Sequence, residues 1–94
     1  MLIQNKEDKG KGMFFVEKDG KLLAEMVYHM ASPEKMVIEH TEVSNELRGL
    51  KVGNQLVHTA VEYARANNIK IVPLCPFANS VLRRKPEYAD VLMK

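Results

Sequence analysis

A short run of residues near the middle of the chain has the composition of an anion-binding loop. Two glycines allow close approach of the backbone to a ligand, and two cations add positive charge. The run lies between a strand-like and a helix-like segment, and the free N–H groups of a first helical turn form an anion site. Its residues are Arg48, Gly49, Leu50, Lys51, Val52 and Gly53. They indicate either a phosphate or diphosphate ligand, or only a tight strand-to-helix turn.

The spacing of this loop matches neither common phosphate-binding pattern. A P-loop requires GxxxxGKS/T and the dinucleotide fingerprint requires GxGxxG, and the loop contains neither. On the residues alone, both interpretations of the loop stay open.

Three side chains outside the loop could also carry chemistry. Cys75 is the only cysteine, and its thiol could accept an acyl group or simply be a small buried apolar group. Pro73 and Pro76 flank it and favour an exposed thiol. His40 and Glu42 share one face of a predicted strand because side chains alternate. Either could act as a general base, or the two could form a paired polar couple.

The segments before the loop predict strands. Strand formers on both sides of Asp19-Gly20 predict a hairpin over residues 13–30, and alternation predicts a third strand over residues 35–43. Residues 1–12 are polar, and we expect a loosely ordered N-terminus with at most a short edge strand at residues 2–4.

The segments after the loop predict helices around one further strand. Apolar spacing predicts a helix over residues 53–67, and a β-branched run predicts a strand over residues 69–74. A short helix over residues 77–84 and a helical turn over residues 86–92 complete an α/β fold. We expect one domain spanning residues 1–94, since two cores would each be too small to be stable.

Composition excludes several classes of protein. A single cysteine cannot form an internal disulfide and fits a reducing compartment, and no Cys/His cluster predicts a metal site. No apolar run approaches the length of a secretory signal or a membrane span. The net charge of +2 is too small to imply nucleic acid. We therefore expect a cytoplasmic protein that binds neither membrane nor nucleic acid.

The loop and two other blocks resemble the GNAT N-acetyltransferase superfamily. The loop is similar to the signature Q/R-x-x-G-x-G/A, with Arg48 in the first position and Gly53 in the last, while Lys51 stands at the inner glycine position. The blocks His40-Thr-Glu-Val and Pro73-Leu-Cys-Pro-Phe resemble a subfamily of very small GNAT-like proteins. The similarity extends over most of the chain.

This resemblance implies a GNAT-like fold, with a mixed, mostly antiparallel twisted sheet, one long central helix and one or two short C-terminal helices. It implies acetyl-CoA as the cosubstrate and transfer of its acetyl group to an unknown amine or protein acceptor. The pantetheine arm would lie between the strands at residues 35–43 and 69–74, near Glu42 and Val43. The diphosphate would bind the backbone of residues 48–53.

The resemblance also implies roles for individual side chains. Glu42 and His40 would deprotonate the amine, and Cys75 would lie near the thioester as an intermediate acceptor. Tyr88 would be a general acid toward the leaving thiolate, or else it would anchor the C-terminal tail.

Full-sized members carry helices after the first strand that help to build the acceptor pocket, whereas only tight turns follow here. This difference leaves the acceptor undefined and favours completion of the site by a protein partner or a homodimer. One alternative function is a non-enzymatic CoA-binding module or regulator. A second is a small nucleic-acid-binding domain, although the predicted sheet lacks an evident set of stacking aromatic residues.

Overall fold

A computed structural model describes residues 2–93 of the protein. The elements in chain order are β1 (Gln4–Asp8), β2 (Lys11–Lys18), β3 (Lys21–Ser32), β4 (Lys35–Val43), a 3-10 helix (Asn45–Leu47), α1 (Val52–Ala66), β5 (Lys70–Pro73), α2 (Pro76–Arg84) and a second 3-10 helix (Pro86–Val91). The strands form one sheet in the order β1-β2-β3-β4-β5. Every neighbouring pair is antiparallel except β4 and β5, which are parallel. The predicted mixed α/β fold is confirmed.

The first two turns of the sheet share one backbone geometry. Asp19 and Gly20 have φ values of 53° and 77°, and Lys9 and Gly10 have φ values of 53° and 81°. Two successive left-handed residues are typical of the type I′ turn, whose twist matches that of a hairpin. The hairpin at Asp19-Gly20 was predicted from the sequence. The prediction of a loosely ordered N-terminus is wrong, because Lys9-Gly10 joins the paired strands β1 and β2.

A buried tyrosine explains why the polar strand β1 is ordered. Tyr28 of β3 is fully buried, and its ring lies over Gly12 of β2, where an added Cβ would be only 2.6 Å from the ring. The phenol donates a hydrogen bond to Glu7 Oε1 at 2.9 Å and accepts one from Asn5 Nδ2 at 3.0 Å. Burial, assisted by the Glu7 carboxylate, raises the pKa of Tyr28 to about 12. The first strand therefore supplies the partners that a buried phenol requires.

Both α-helices pack on one face of the sheet. The buried stripe of α1 recurs at helical spacing and consists of Val52, Leu56, Val57, Ala60, Val61 and Ala64. This stripe and the buried residues of α2 belong to a single core with Met26, Tyr28 and Ile38 of the sheet. Phe15 and Val37 are buried on the other face and lie outside that core. We call this other face, which also carries Glu25, His40 and Glu42, the open face.

The end of α1 fixes the return of the chain into the sheet. Asn68 adopts a left-handed φ of 56°, and the amide of Ile69 donates to the carbonyl of Ala64 at 2.8 Å. This arrangement caps the last helical turn, because asparagine tolerates the left-handed conformation. Within residues 2–93, the helices are all too short or too polar to cross a membrane.

Candidate functional site

Strands β4 and β5 part halfway along β4. They pair in parallel from Lys35 and Lys70 to Ile38 and Pro73, and β4 then continues to Val43. Within residues 2–93, only β3 pairs with this last part of β4. The edge of β4 that faces away from β3 is therefore unpaired from Glu39 onward. An extended ligand could bind there through main-chain hydrogen bonds.

The sequence after β5 explains the parting. The amides of Leu74 and Cys75 both donate to the carbonyl of Ile38, at 3.0 and 3.1 Å, so the parallel ladder ends at that residue. Pro76 then begins α2 at the first helical position, where its missing N–H costs nothing. The chain consequently leaves the sheet while β4 continues.

Two left-handed residues shape the loop between β4 and α1. Gly49 has a φ of 84°, and Lys51, the residue that precedes α1, has a φ of 54°. The left-handed conformation is readily accessible to glycine but costs other residues about 1–2 kcal/mol. Lys51 thus stands where the GNAT signature has a glycine, and its backbone is left-handed.

The loop and the start of α1 present a group of unpaired backbone donors. Lys51 makes no side-chain cap, and the first amide of this turn that finds a backbone acceptor is that of Gln55, which donates to Lys51 at 3.1 Å. Within residues 2–93, the preceding amides of Lys51, Val52, Gly53 and Asn54 donate to no acceptor. Such donors, together with the positive end of the helix dipole, favour a bound anion.

A cavity of about 440 Å³ joins the unpaired amides to the end of β4. Its walls are formed by Thr41, Val43, Leu47, Arg48, Gly49, Lys51, Val52, Gly53, Asn54 and Phe77. The ring of Phe77 lies over Gly53, where an added Cβ would come within 2.7 Å of it. Gly53 is therefore required for the close packing of this aromatic ring, in addition to any approach by a ligand.

Exposed apolar side chains cluster around this region. In the described part of the chain, six large apolar residues are prominently exposed. Four of them border the loop or the parting of the strands: Val43, Leu50, Leu74 and Phe77. Such clustering is typical of a surface that contacts a ligand or partner.

Cys75 lies at the parting but is not exposed as the flanking prolines suggested. Its side chain is buried, with 4% of the residue surface accessible, because the segment is held against Ile38 by two main-chain hydrogen bonds. The thiol donates to Thr41 Oγ1 at 3.5 Å. Thr41 lines the cavity, so the thiol is one side chain away from it.

His40 and Glu42 face the opposite side of the sheet from Cys75. Donor atoms of His40, Glu42 and Glu25 lie within 4.8 Å of one another on the open face, which agrees with the predicted common face of His40 and Glu42. Thr41, between them, points to the helix side. The three predicted catalytic side chains are therefore divided between the two faces, and the parting of β4 and β5 is where these faces meet.

Tyr88 does not line this cavity, but it lines a neighbouring one together with Lys51, Asn54 and His58. Its hydroxyl oxygen lies 2.9 Å from His58 Nδ1 of α1, and burial raises the pKa of Tyr88. Nearby, Arg65 of α1 makes two hydrogen bonds of 2.8 Å to Asp90. These contacts dock the C-terminal 3-10 helix on α1, which is the structural role considered for Tyr88.

Sequence reasoning missed three residues that the structure brings to this region. Thr41 and Phe77 both belong to blocks that were recognised, but neither was assigned a contact. Alternation along β4 does place Thr41 opposite His40, which is a usable signal. Glu25 approaches His40 only through the register of β3 and β4, in which it lies opposite Glu42. No pattern within β3 alone reveals that register.

Comparisons with known proteins agree with this geometry. A family model described as GCN5-related N-acetyl-transferase matches residues 13–91. The NMR structure of a GCN5-like protein from Staphylococcus aureus is 36% identical, with a TM-score of 0.74, and the match covers 96% of this chain and 87% of that one. A ribosomal-protein-alanine N-acetyltransferase from Brucella melitensis is 18% identical, with a TM-score of 0.63. That match covers 93% of this chain and 64% of the other, and it shows the shared fold only. No protein of curated function matches the chain. The match over most of the sequence shows that the chain belongs to the GCN5-related N-acetyltransferase family.

Proposed function

We propose that the protein transfers an acetyl group from acetyl-CoA to an amine. The observation that carries this proposal is the unpaired edge of β4, which leads from Ile38 to the free amides at the start of α1. A pantetheine arm can add to such an edge like another strand, near Glu42 and Val43. The diphosphate then binds the loop of residues 48–53, where the unpaired amides and Lys51 favour an anion.

In the direct reaction, the amine nitrogen attacks the thioester carbonyl at the parting of the strands. A C–N bond forms, the C–S bond breaks, and the CoA thiolate leaves and takes up a proton. The amine must lose a proton, and we assign its acceptance to His40 and Glu42. Their position on the open face supports approach of the amine from that side.

A second route passes through Cys75. The thiol sulfur would attack the thioester from the helix side, its proton would go to the departing CoA thiolate, and the amine would then attack the new thioester. The 3.5 Å contact between Sγ and Thr41 Oγ1 supports this role, because a hydroxyl can both accept from the thiol and donate to the thiolate. An acetylated Cys75 would distinguish this route from the direct one.

The amine is proposed to come to the open face. The family resemblance indicates that helices that build the acceptor pocket in larger members are replaced by tight turns here, as β2, β3 and β4 follow one another directly. A protein acceptor, a partner protein or a second copy of the chain would then supply the missing wall. A reducing compartment such as the cytoplasm would keep the Cys75 thiol available for the second route.

The binding step is tested by NMR titration of ¹⁵N-labelled protein with acetyl-CoA and CoA. We expect shift changes at Glu42, Val43, Cys75 and the loop of residues 48–53. Changes confined to other regions, or none at millimolar ligand, would contradict the proposal.

Intact mass after incubation with acetyl-CoA then reports whether one acetyl group is added and whether Cys75→Ala removes it. Binding without turnover on any amine would favour the non-enzymatic CoA-binding alternative.

A matched pair of variants localises the ligand. Phe77→Ala removes a half-exposed ring from the cavity and should weaken acetyl-CoA binding by about 1 kcal/mol, or roughly fivefold. Leu22→Ala removes an apolar side chain of similar exposure outside the cavity. It should leave the affinity unchanged. Equal effects of the two substitutions would place the ligand elsewhere.

A further inference from the structure

Three side chains on the open face bring their potential donor atoms close together. Glu25 of β3 and Glu42 of β4 lie opposite each other in the sheet, and His40 lies opposite Val27 on the same face. One donor atom from each of Glu25, His40 and Glu42 lies within 4.8 Å of the others. We propose that these three residues form a binding site for a divalent transition-metal ion, and that Zn²⁺ fits it best.

The distances suit zinc with little rearrangement. Metal–donor bonds of about 2.0–2.2 Å in a tetrahedral site place neighbouring donors roughly 3.4 Å apart. His40 Nε2 and Glu25 Oε2 are already 3.4 Å apart. Glu42 is exposed, and rotation of its side chain can close the remaining distance. Two paired strands hold the three Cα positions, so the site does not depend on a mobile loop.

Electrostatics supports a cation at this point. Like charges directly opposite each other on paired strands destabilise a sheet, and Glu25 faces Glu42 in this way. Within residues 2–93, no lysine or arginine forms an ion pair with either carboxylate. A divalent ion would neutralise both charges at once. The neighbouring pair of His29 and Glu39, whose facing atoms are 2.6 Å apart, has no such third member among residues 2–93.

The types of donor select the ion. One imidazole and two carboxylates provide three protein ligands and leave a fourth position open for water, which is the pattern of an accessible zinc site. Mg²⁺ and Ca²⁺ prefer oxygen ligands alone, so the imidazole disfavours them. The Cys75 thiol lies with Thr41 on the helix side and is not part of the site.

Metal binding has a consequence that rests on the proposed function. A ring nitrogen of His40 that is bonded to zinc has no lone pair for the proton of the amine. Zinc should therefore inhibit acetyl transfer without weakening the binding of acetyl-CoA, because acetyl-CoA would contact the main chain of β4 and the loop, whereas zinc contacts side chains of the open face. The ion would act as a reversible inhibitor at the acceptor side.

Isothermal titration with ZnCl₂, in a non-chelating buffer and without CoA, tests the site directly. We expect one zinc ion per chain, with ¹⁵N shifts of the His40 ring in a parallel NMR titration. Glu25→Gln and His40→Gln should each raise the dissociation constant at least about tenfold, since loss of even a supporting group costs 10–100-fold. His29→Gln and Cys75→Ser are the controls and should leave it unchanged, and MgCl₂ should produce no comparable binding.

The outcome is decisive in either direction. No zinc binding at millimolar concentration, unchanged affinity in either ligand variant, or loss of binding in either control variant would overturn the proposal. Circular dichroism of each variant verifies that it is folded. Because acetyl-CoA is absent from the titration, failure of the zinc site leaves the proposed acetyl transfer untouched, and failure of acetyl-CoA binding leaves the zinc site untouched.

Discussion

Replacement of Lys51 by glycine should stabilise the protein, although it removes a side chain and a charge. Lys51 has a left-handed φ of 54° at the start of α1, without a side-chain cap. Relief of that conformation is worth about 1–2 kcal/mol. The greater freedom of glycine in the unfolded chain offsets roughly 0.5–1 kcal/mol of this gain. The expected net gain in the free energy of unfolding is therefore about 0.5–1 kcal/mol.

The change is measurable by thermal and urea unfolding. For a domain of this size, each 1 kcal/mol shifts the melting temperature by about 4–8 °C, so Lys51→Gly should raise it by about 2–8 °C. Lys51→Gln is the control, because it removes the charge but keeps the backbone conformation. Its stability should stay within about 0.5 kcal/mol of the natural protein.

The same two variants separate charge from backbone in ligand binding. Both lose the cation beside the proposed diphosphate site, so any difference between them in acetyl-CoA affinity does not come from the charge. A Lys51→Gly protein that is less stable than Lys51→Gln would refute the reasoning. It would mean that the left-handed conformation is not the dominant energetic feature of this position.

Two other predictions concern the contacts that hold β1 and the C-terminal 3-10 helix. Tyr28→Phe should lower the free energy of unfolding, measured by urea denaturation, by about 1–3 kcal/mol, because it removes a hydrogen bond to the Glu7 carboxylate. Unchanged stability would show that β1 is held by other contacts. Hydrogen bonds from Arg65 lower the pKa of Asp90, so their contribution to stability is present above the ordinary aspartate pKa and is lost as the pH falls through the lowered value. In Arg65→Met, NMR titration of the Asp90 carboxyl should give a higher pKa than in the natural protein, and an unchanged value would contradict the assigned cause.

The part of the fold that was predictable from the sequence depended on local patterns. The helix α1 and its end at Asn68 follow from apolar spacing and a residue that tolerates left-handed φ. The strand β1 was missed because Gln4–Asp8 has no apolar alternation. Its order comes from the hydroxyl of Tyr28, which lies two strands away in the sheet. A contact of that kind is a property of the assembled sheet.

The candidate site likewise has features that local sequence patterns predict and features that depend on the assembled sheet. Glycines and cations marked the loop, and alternation along β4 placed His40 and Glu42 on one face. The contact of Glu25 with His40 depends on strand register, which shifts between Val27 and Tyr28. The burial of Cys75 depends on hydrogen bonds to Ile38. Neither can be obtained from the spacing of residues in one segment.

The gap between β4 and β5 can be reached from both faces of the sheet. In the proposed reaction, CoA would occupy the helix side while the acceptor covers the open face, so both reactants would be bound at the same time. The acetylated acceptor would then be free to leave before or after CoA, and a new acetyl-CoA would be needed for the next transfer. Such an arrangement predicts that, in steady-state kinetics, the two substrates bind independently of each other.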